Sequence, residues 1–410
     1  MKLLVVTQYF HPENFIINEV VRTLSTKGHE VVVLSGKPNY PEGKVFPGYR
    51  NWGVLRETFA DKVTVFRVPI WPRKNGSASN LALNYLSFVL SGLYFGPRLL
   101  FRQRFDHILV YAISPPTQAI PAILIKWLKR APLTMWVQDL WPESLKDTGF
   151  VHNPFLLKAV GVLMRVLYSQ CSLLLVPSHA FNQPISAYTA PKKLAYLPNP
   201  YDGKAHSPLS SLPPVLLSAL EGAFTVVFAG NVGTAQSVET IVGAAQLLLD
   251  RPEIRFVVIG SGSRLDWLQK EKSRLQLHNL ILPGRFPPNI MPQVFQQATI
   301  LLATLRGGDA FRHTVPSKIQ AYMAAGRPIL AAMEGEGARL VNEAGAGLVC
   351  PPDDPKALAQ LVITLCQQPA KALDALGYSG RRYFETNFEL CSQVDRLVQL
   401  LNSSRKDTHS

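Results

Sequence analysis

The sequence predicts an α/β protein built from two successive doubly wound units, each a parallel sheet with helices on both faces. Short apolar runs alternate with helical patterns, and the alternation restarts after a Pro- and Ser-rich stretch at 197–222, read as a linker. The length of 410 residues exceeds one ordinary domain. Hydrophobic residues make up 47% and charged ones 17%, which excludes a disordered chain.

The first unit begins with a strand–helix–strand pattern. Residues 2–7 form an apolar run typical of a central parallel strand, a one-sided apolar helix follows around Val20, and 30–34 is the next apolar run. Gly28 stands where a left-handed residue would end that helix. Further strands are predicted at 64–68, 107–111, 133–137 and 173–176, with helices at 81–95, 117–129 and 154–169.

The second unit repeats the alternation. Strands are predicted at 225–229, 255–259, 280–282, 300–303, 329–331 and 347–349, with helices at 238–249, 265–274, 290–297, 317–325 and 355–366. One more helix is predicted at 383–401, followed by a frayed tail. The predicted domains are therefore 1–200 and 201–382, with a C-terminal helix and tail at 383–410.

The charge balance favours a partner with negative charge. The chain has 42 basic and 28 acidic residues, a net charge of +14. Nucleic acid, an anionic membrane and a phosphorylated substrate all fit that sign. The basic residues are dispersed, without a basic-aromatic repeat or helix-turn-helix spacing, so nucleic acid is not expected as a partner.

The cysteines and the amino terminus indicate a reducing compartment. Cys171, Cys350, Cys366 and Cys391 lie far apart, without the spacing of a zinc site or a disulfide framework. The apolar run in the first ten residues is too short for a secretory signal. A cytoplasmic location is therefore expected.

Three segments of the first unit combine apolar residues with cations: 75–97 with the arginines that follow it, 123–130, and 155–167. The first is free of charges and approaches the length of a membrane span, but its Asn and Ser residues interrupt the apolar character. The pattern favours helices lying in an anionic membrane interface. Core helices with exposed basic faces are the alternative.

Two glycine-containing loops follow successive strands of the second unit. Backbone amides in such loops can hold a phosphate at the carboxyl edge of a sheet. Each loop could also be a tight turn, but two in succession favour a nucleotide. The residues concerned are Gly230, Asn231, Gly233, Gln236, Gly260 and Gly262.

Residues 314–328 form the most informative local motif. Pro316 ends a glycine-containing loop, Ser317 is placed to cap the following helix, and Gly326 is placed to end it. Lys318 puts a cation in the first turn, where the helix dipole disfavours one. An anionic partner is therefore predicted, and a solvated surface lysine is the alternative.

Two loops of the first unit gather carboxylates and aromatic rings at strand ends, a composition that suits sugar recognition. His11, Glu13 and Asn14 lie in one loop, and Asp139 and Glu143 lie in the other. The two acids of the second loop could instead cap helices. The histidine could equally be a hydrogen-bonded structural one.

Together these motifs resemble the GT-B glycosyltransferases of family 4, retaining enzymes with two Rossmann-like domains facing a cleft. The resemblance depends on 28–31, 38–43, QDLWPESL at 138–145 and PSKIQAYMAAGRPIL at 316–330. It covers the chain from Met1 to about Leu400. Within the family the chain is most similar to the N-acetyl-L-fucosaminyl transferases of bacterial O-antigen and capsule assembly.

The sequence departs from the family at several positions. Many members carry two glutamates separated by seven residues, and His313 and Ala321 occupy those positions here. The usual Arg and Lys of the phosphate site are absent, and Gln138 replaces a histidine common in the first domain. Lys318 is therefore expected to neutralise much of the charge of a bound diphosphate.

The resemblance implies retaining transfer of a sugar, such as N-acetyl-L-fucosamine, from a UDP-sugar to a polyprenyl-diphosphate-linked acceptor at the inner face of the plasma membrane. No metal or further cofactor is expected, because positive charge and aligned amides can stabilise the leaving diphosphate. A catalytically silent sugar-nucleotide-binding subunit is the alternative.

The predicted catalytic residues are Lys318, Asp139 and His11, and the predicted acceptor contacts are Glu13, Asn14, Asp139 and Glu143. The predicted donor contacts are Gly230, Asn231, Gly233, Gln236, Gly260, Gly262, Arg285, Ser317 and Lys318.

Overall fold

A computed structural model describes residues 1–147, 153–203 and 212–406, and the chain divides into two compact units. The first unit comprises Met1–Pro200 and the chain from Leu390 onward, and the second comprises Tyr201–Glu389. Each unit contains one sheet and is described separately below.

The first unit contains an eight-stranded sheet in the order β3-β4-β2-β1-β5-β6-β7-β8. Every neighbouring pair is parallel except β3 and β4, which form an antiparallel hairpin at the edge. The strands are β1 (Lys2–Val6), β2 (Glu30–Gly36), β3 (Leu55–Phe59), β4 (Val63–Val68), β5 (His107–Ala112), β6 (Leu133–Val137), β7 (Leu173–Val176) and β8 (Leu194–Tyr196). The predicted parallel strands are confirmed, while β3 and β8 were not predicted.

Helices cover both faces of this sheet, and separate hydrophobic cores lie on its two sides. The helices that precede the second unit are α1 (Ile16–Thr26), α2 (Ala78–Leu99), α3 (Ala119–Lys129), α4 (Glu143–Asp147), α5 (Pro154–Ser169) and α6 (Asn182–Ser186). The helix α2 packs closely on α3 at Gly92, where an added Cβ would come within 2.7 Å of the Pro121 ring. Among the described residues no helix is long and apolar enough to cross a membrane.

The second unit contains a six-stranded parallel sheet in the order β11-β10-β9-β12-β13-β14. The strands are β9 (Phe224–Asn231), β10 (Ile254–Ser261), β11 (Leu280–Gly284), β12 (Ile300–Thr304), β13 (Ile329–Ala332) and β14 (Gly347–Cys350). The helices are α7 (Pro214–Leu220), α8 (Val238–Leu247), α9 (Leu265–Arg274), α10 (Met291–Gln297), α11 (Asp309–Arg312), α12 (Ser317–Ala325), α13 (Glu336–Glu343), α14 (Pro355–Cys366) and α15 (Ala370–Asn387). The predicted strand–helix alternation is confirmed here as well.

Two boundary predictions require correction. The predicted linker at 197–222 contains α7, which buries Leu216 completely in the core of the second unit, while 204–211 lies outside the described residues. The predicted boundary after residue 382 falls inside α15, and the last helix, α16 (Leu390–Lys406), belongs to the first unit. Asp395 of α16 pairs there with Lys27, at 2.8 Å.

Candidate active site

The two glycine loops of the second unit meet at the carboxyl ends of adjacent strands. In the register of β9 and β10, Gly230 pairs with Gly260 and Asn231 pairs with Ser261. A Cβ at position 260 would lie 1.8 Å from the Gly230 carbonyl oxygen, and φ there is +150°. Close approach of the two strand ends therefore requires this glycine, which lies within β10 and not in a turn.

A cavity of about 450 Å³ opens beside these strand ends, within the range usual for small-ligand sites. One side is polar and consists of Gly230, Asn231, Gly260 and Ser261. Another part of the lining is apolar, follows β11 and includes Phe286, Pro288, Met291 and Phe295. Such a cavity can hold a planar ring at its apolar side and phosphate oxygens at its polar side.

Arg285 is the only charged residue among the described residues that line this cavity. It is exposed and directly follows β11. Within the described part of the chain it forms no ion pair, so its guanidinium keeps all its donors for a ligand. A guanidinium can bind a phosphate through two parallel hydrogen bonds.

Lys318 lies behind the glycine loop. Its Cε would be 2.8 Å from a Cβ at position 230, and its Nζ lies 3.4 Å from the centroid of the Phe228 ring. The Nζ atom is buried and has no hydrogen-bond partner among the described residues. Burial lowers the pKa of Lys318 to about 7. The alternative of a solvated surface lysine is therefore wrong.

Two other arginines of the second unit are already paired. Arg264 forms an ion pair with Glu239, and Arg306 lies 3.6 Å from the same carboxylate. Arg264 also stacks on Trp267, 4.3 Å from its ring centroid. Unlike Arg285 and Lys318, these two cations are therefore partly neutralised before any ligand binds.

Three other predicted donor residues, Gly233, Gln236 and Gly262, are not among the residues that line the cavity. Asn231 donates a hydrogen bond to the Gln236 side chain, at 3.2 Å, and Gly233 lies in the turn between them. Gly262 packs against Val232, so an added Cβ would lie 2.4 Å from its carbonyl oxygen. These three residues shape the loop behind the cavity wall.

Ser317 does not cap α12, contrary to the prediction. Pro316 occupies the cap position, no side-chain cap hydrogen bond forms, and Ser317 is exposed as the first helical residue. Gly326 does end the helix in a left-handed conformation, as predicted.

The two positions that carry glutamate in many family members lie apart from this cavity. Ala321 lines a smaller one of about 50 Å³ with Asp202, Phe295 and Arg381. Nδ1 of His313 is buried and has no hydrogen-bond partner within the described residues. Neither side chain supplies a carboxylate in place of a glutamate.

In the first unit His11 is exposed, and its ring rests on Phe59 with a centroid distance of 5.0 Å. Its backbone donates a hydrogen bond to Asn18 and accepts one from Arg67. Partial burial and the Arg67 guanidinium lower the pKa of the His11 imidazole. A ring with a lowered pKa is neutral at pH 7 and able to accept a proton.

Glu13 is only 1% exposed, and backbone amides occupy both of its carboxylate oxygens. It accepts hydrogen bonds from Asn39 at 2.8 Å, from Tyr40 at 2.7 Å and from Phe10 at 3.1 Å. Burial raises the pKa of Glu13 to about 7, against the opposing effect of these amides. The prediction of direct acceptor contact is therefore corrected, because Glu13 positions the loop that begins after β2.

Asp139 connects three neighbouring segments. Its carboxylate accepts hydrogen bonds from the hydroxyl groups of Ser114 and Ser144 and from the Trp141 indole nitrogen at 3.3 Å. It is separated from His11 by β5, and two strand spacings amount to about 10 Å. The two residues are therefore not a directly bonded pair, and Asp139 holds the start of α4 in place.

Glu143 faces the interior of the first unit. Its Oε1 accepts a hydrogen bond from the Tyr188 hydroxyl at 3.4 Å, and its Oε2 is buried without a hydrogen-bond partner among the described residues. Asn14, by contrast, is exposed. Of the four predicted acceptor contacts, Asn14 is the one that is fully open to a ligand.

The sequence analysis missed a buried polar network at this edge of the first unit, centred on Asn84. Asn84 is fully buried and accepts hydrogen bonds from Gln8 at 2.7 Å and from the Tyr9 hydroxyl at 3.2 Å. It also donates to Asn39 and to the Trp71 carbonyl. The sequence feature that could have revealed this network is a polar residue inside an apolar helix. The sequence analysis interpreted Asn84 only as an interruption of the apolar character of that segment.

Asn84→Leu is expected to destabilise the first unit by about 2 kcal/mol, because it leaves several buried polar groups without partners. Urea unfolding monitored by tryptophan fluorescence measures the change. The matched control is Asn402→Leu, an exposed residue of α16. Equal unfolding midpoints for the two variants would show that the network contributes nothing to stability.

Comparison with solved structures defines the class of the fold. HepE from Anabaena in complex with UDP aligns over 98% of this chain and 100% of its own, with a TM-score of 0.70 at 15% identity. Sucrose-phosphate synthase from Thermosynechococcus elongatus covers 98% of each chain, with a TM-score of 0.71 at 14% identity. The fold is that of GT-B glycosyltransferases.

Family models and curated relatives agree with this class. A glycosyl transferase 4-like domain matches residues 14–200, and the glycosyl transferases group 1 model matches 223–368. The chain belongs to these family 4-type glycosyltransferases. The probable glycosyltransferase WbjE of Pseudomonas aeruginosa is 28% identical over 78% of this chain and 79% of its own length. The putative colanic acid biosynthesis glycosyl transferase WcaI of Escherichia coli K12 is 24% identical over 80% and 82%.

Proposed function

We propose that the protein transfers a sugar, with retention, from a UDP-sugar to a polyprenyl-diphosphate-linked acceptor in bacterial surface polysaccharide synthesis. The observation that carries this proposal is the cavity beside Gly230 and Gly260, with Arg285 on its wall and Lys318 behind it. The similarity to WcaI, a putative colanic acid biosynthesis glycosyl transferase, supports the polysaccharide, and the similarity to HepE, whose structure contains UDP, supports the nucleotide.

The chemistry follows from where negative charge develops. In the transfer the bond between the anomeric carbon and the diphosphate oxygen breaks, and the electron pair stays on the diphosphate. An acceptor hydroxyl oxygen forms the new bond to the anomeric carbon and gives up its proton. Arg285 would bind the diphosphate directly. The ammonium of Lys318 lies immediately behind Gly230, so a phosphate resting on that glycine would give it the anionic partner that it lacks.

The donor sugar is proposed to be an N-acetylated deoxy-amino sugar such as N-acetyl-L-fucosamine. This choice rests on the resemblance of 38–43, 138–145 and 316–330 to the N-acetyl-L-fucosaminyl transferases. The acceptor is proposed to bind near Asn14 and His11, both exposed at the carboxyl edge of the first unit's sheet. The neutral His11 ring is available there as a proton acceptor.

A panel of UDP-sugars with a lipid-linked acceptor tests the function. We expect UDP release that depends on the acceptor and is fastest with the N-acetylated deoxy-amino sugar. Hydrogen exchange in the presence of UDP should slow at 230–236, 260–264, 284–288 and 316–318. Protection without turnover for any donor would favour the silent binding subunit, and protection confined to 8–16 would reverse the donor and acceptor units.

Exposed apolar side chains of the first unit support binding to the inner face of the plasma membrane. Along α2, Leu83, Leu86, Leu90 and Tyr94 recur with helical spacing and are between 44% and 57% exposed. On α5, Phe155 is 82% exposed. Apolar stripes of this kind, in a unit rich in cations, are typical of helices that lie in a membrane interface.

Removal of the α2 stripe should release the protein from membranes. We expect Leu86→Ser with Leu90→Ser to lower binding to vesicles of phosphatidylcholine and phosphatidylglycerol by at least tenfold, because roughly 0.8 kcal/mol is lost per CH₂ withdrawn from lipid and a tenfold change needs only about two of them. Vesicle flotation measures the bound fraction, with Val215→Ser and Leu247→Ser on the second unit as the matched control. Equal flotation of both double variants would contradict the membrane proposal.

A further inference from the structure

A basic groove lies at the amino ends of the strands of the first unit. It has a volume of about 950 Å³ and is lined by the start of β1, the segment before β5 and the end of α3. The strands β1 and β5 are parallel and end at the opposite edge of the sheet, where His11 and Asn14 follow β1. The groove is therefore distinct from the proposed acceptor site.

Three arginines of this groove, Arg102, Arg104 and Arg130, are exposed and have no ion-pair or aromatic partner among the described residues. The two lysines beside them are already engaged. Lys2 pairs with Glu30, and Lys129 donates a hydrogen bond to the Phe101 carbonyl at 2.8 Å.

Asp106 is the only acid among the described residues that line the groove, and it accepts a hydrogen bond from the Lys2 backbone at 2.8 Å. The three arginines therefore line one concave surface on which Asp106 is the only acid among the described residues. Like charges held close together repel, and an anion between them removes that repulsion. Planar guanidinium groups suit a phosphate in particular, because each can donate two parallel hydrogen bonds.

The rim of the groove is apolar and indicates where such a phosphate comes from. Phe101 and Leu128 line the groove and are 77% and 57% exposed, and the neighbouring Trp127 is 61% exposed. A freely diffusing phosphate would gain nothing from these side chains. A phospholipid offers a phosphate to the arginines and acyl chains to the rim.

We propose that Arg102, Arg104 and Arg130 bind the phosphate headgroup of an anionic phospholipid, with Phe101, Trp127 and Leu128 inserted beside it. This inference rests on the membrane association proposed above and assigns its headgroup site. The helix α2 begins near Asn84 at the acceptor edge and ends beside this groove. About 24 Å of helix separates Leu83 from Leu99 at the end of α2, so a headgroup held here fixes α2 along the membrane plane with the acceptor edge at its other end.

Lys126 and Lys129 are unsuitable for testing this site. Lys126 donates a hydrogen bond to the Gln170 carbonyl at the end of α5, and Lys129 holds the Phe101 carbonyl. Substitution of either lysine would remove one of these hydrogen bonds and disturb the fold. The three arginines can be changed without breaking a described hydrogen bond.

The test compares the triple variant R102Q/R104Q/R130Q with the control K44Q/R50Q/R56Q, which removes the same charge from exposed residues of the same unit. The probes are vesicles of phosphatidylcholine with and without phosphatidylglycerol, together with soluble glycerol 1-phosphate. We expect the triple variant to lose at least tenfold in affinity for phosphatidylglycerol vesicles and the control less than twofold. Binding to pure phosphatidylcholine and turnover with a water-soluble acceptor should be unchanged in both.

Equal losses in the two variants would overturn the inference, because net charge alone would then explain binding. Binding of glycerol 1-phosphate as tight as that of the vesicles would also overturn it, since the site would then take a soluble phosphate. Failure of the proposed transfer reaction is a separate result. It would appear as absent UDP release in the wild-type chain, while the difference between the vesicle affinities remained.

Discussion

Lys318→Met is expected to abolish or severely reduce sugar transfer while leaving the protein at least as stable as the wild type. Loss of one cation that stabilises charge developing on the diphosphate should cost about 3 kcal/mol, roughly 150-fold in kcat/KM. The free energy of unfolding should not fall, because an apolar side chain of similar length replaces a buried ammonium that has no hydrogen-bond partner among the described residues.

The pKa of Lys318 gives this prediction a second measurement. Burial lowers the pKa of Lys318 to about 7 from its ordinary value of 10.5, so at pH 8 Lys318 is neutral in most molecules before UDP binds. A diphosphate beside Gly230 would stabilise the ammonium and raise the pKa, so binding at pH 8 should take up close to one proton. Calorimetry in buffers of different ionisation enthalpy measures the uptake, which should be absent in Lys318→Met.

The same shift fixes the sign of the pH dependence of stability. The folded pKa lies below the unfolded one, so burial of the charged lysine destabilises the fold fully below pH 7. This penalty disappears as the pH rises from about 7 toward 10.5. The advantage of Lys318→Met over the wild type in free energy of unfolding should therefore shrink over that interval.

Lys371→Met is the matched control for all three measurements. Lys371 is also the second residue of a helix that follows a cap-position proline, but it is exposed. We expect this control to retain wild-type turnover, proton uptake and stability. Wild-type turnover and unchanged UDP affinity in Lys318→Met would show that the buried lysine has no part in the reaction.

The parallel strands could be predicted from the sequence because burial on both faces leaves near-continuous apolar runs. The strand β3 could not, since its residues LRETF are mostly exposed at an edge. The helix α7 was not predicted, because the prolines and serines around it are typical of a linker. Its helical period was nevertheless present, since Leu212, Leu216 and Leu220 recur every four residues and are all buried. Composition thus outweighed periodicity in the assignment of that segment.

The candidate site shows why position in a helix is a weaker guide than burial. Lys318 was singled out because a cation is disfavoured in a first helical turn, yet Lys356 and Lys371 occupy the same position of α14 and α15 and are exposed. What distinguishes Lys318 is enclosure between Phe228 and Gly230, two residues about ninety positions away. Such a contact is tertiary, and no local pattern encodes it.

The carboxylates of the first unit also could not be assigned from residue type and position alone. Glu13 and Asp139 are acids of the type that suits hydroxyl recognition. The Glu13 carboxylate already accepts hydrogen bonds from backbone amides, and the Asp139 carboxylate already accepts them from serine hydroxyls and an indole nitrogen. Which carboxylates remain free for a ligand depends on how the loops fold. The sequence could place both acids at strand ends but could not show that they were already bonded.

Arg285→Leu is expected to weaken UDP binding by about 2–3 kcal/mol, roughly 30- to 150-fold, because hydrogen bonds to a charged phosphate are lost. Uridine should bind the variant and the wild type equally, since it has no phosphate and can use only the apolar side formed by Phe286, Met291 and Phe295. Arg285→Lys should recover part of the UDP affinity as a point charge without the two-bond geometry. Calorimetric titration with each nucleotide measures these differences.

Arg274→Leu serves as the control, because Arg274 is an exposed arginine of the same unit whose partner is Glu271 on its own helix. It should change neither affinity. Equal losses of UDP and uridine in Arg285→Leu would contradict the assignment, since the arginine would then contact the base or support the fold. A loss restricted to UDP, and smaller in high salt, would place the diphosphate at this arginine, because screening weakens an exposed ionic contact but leaves ring packing unaffected.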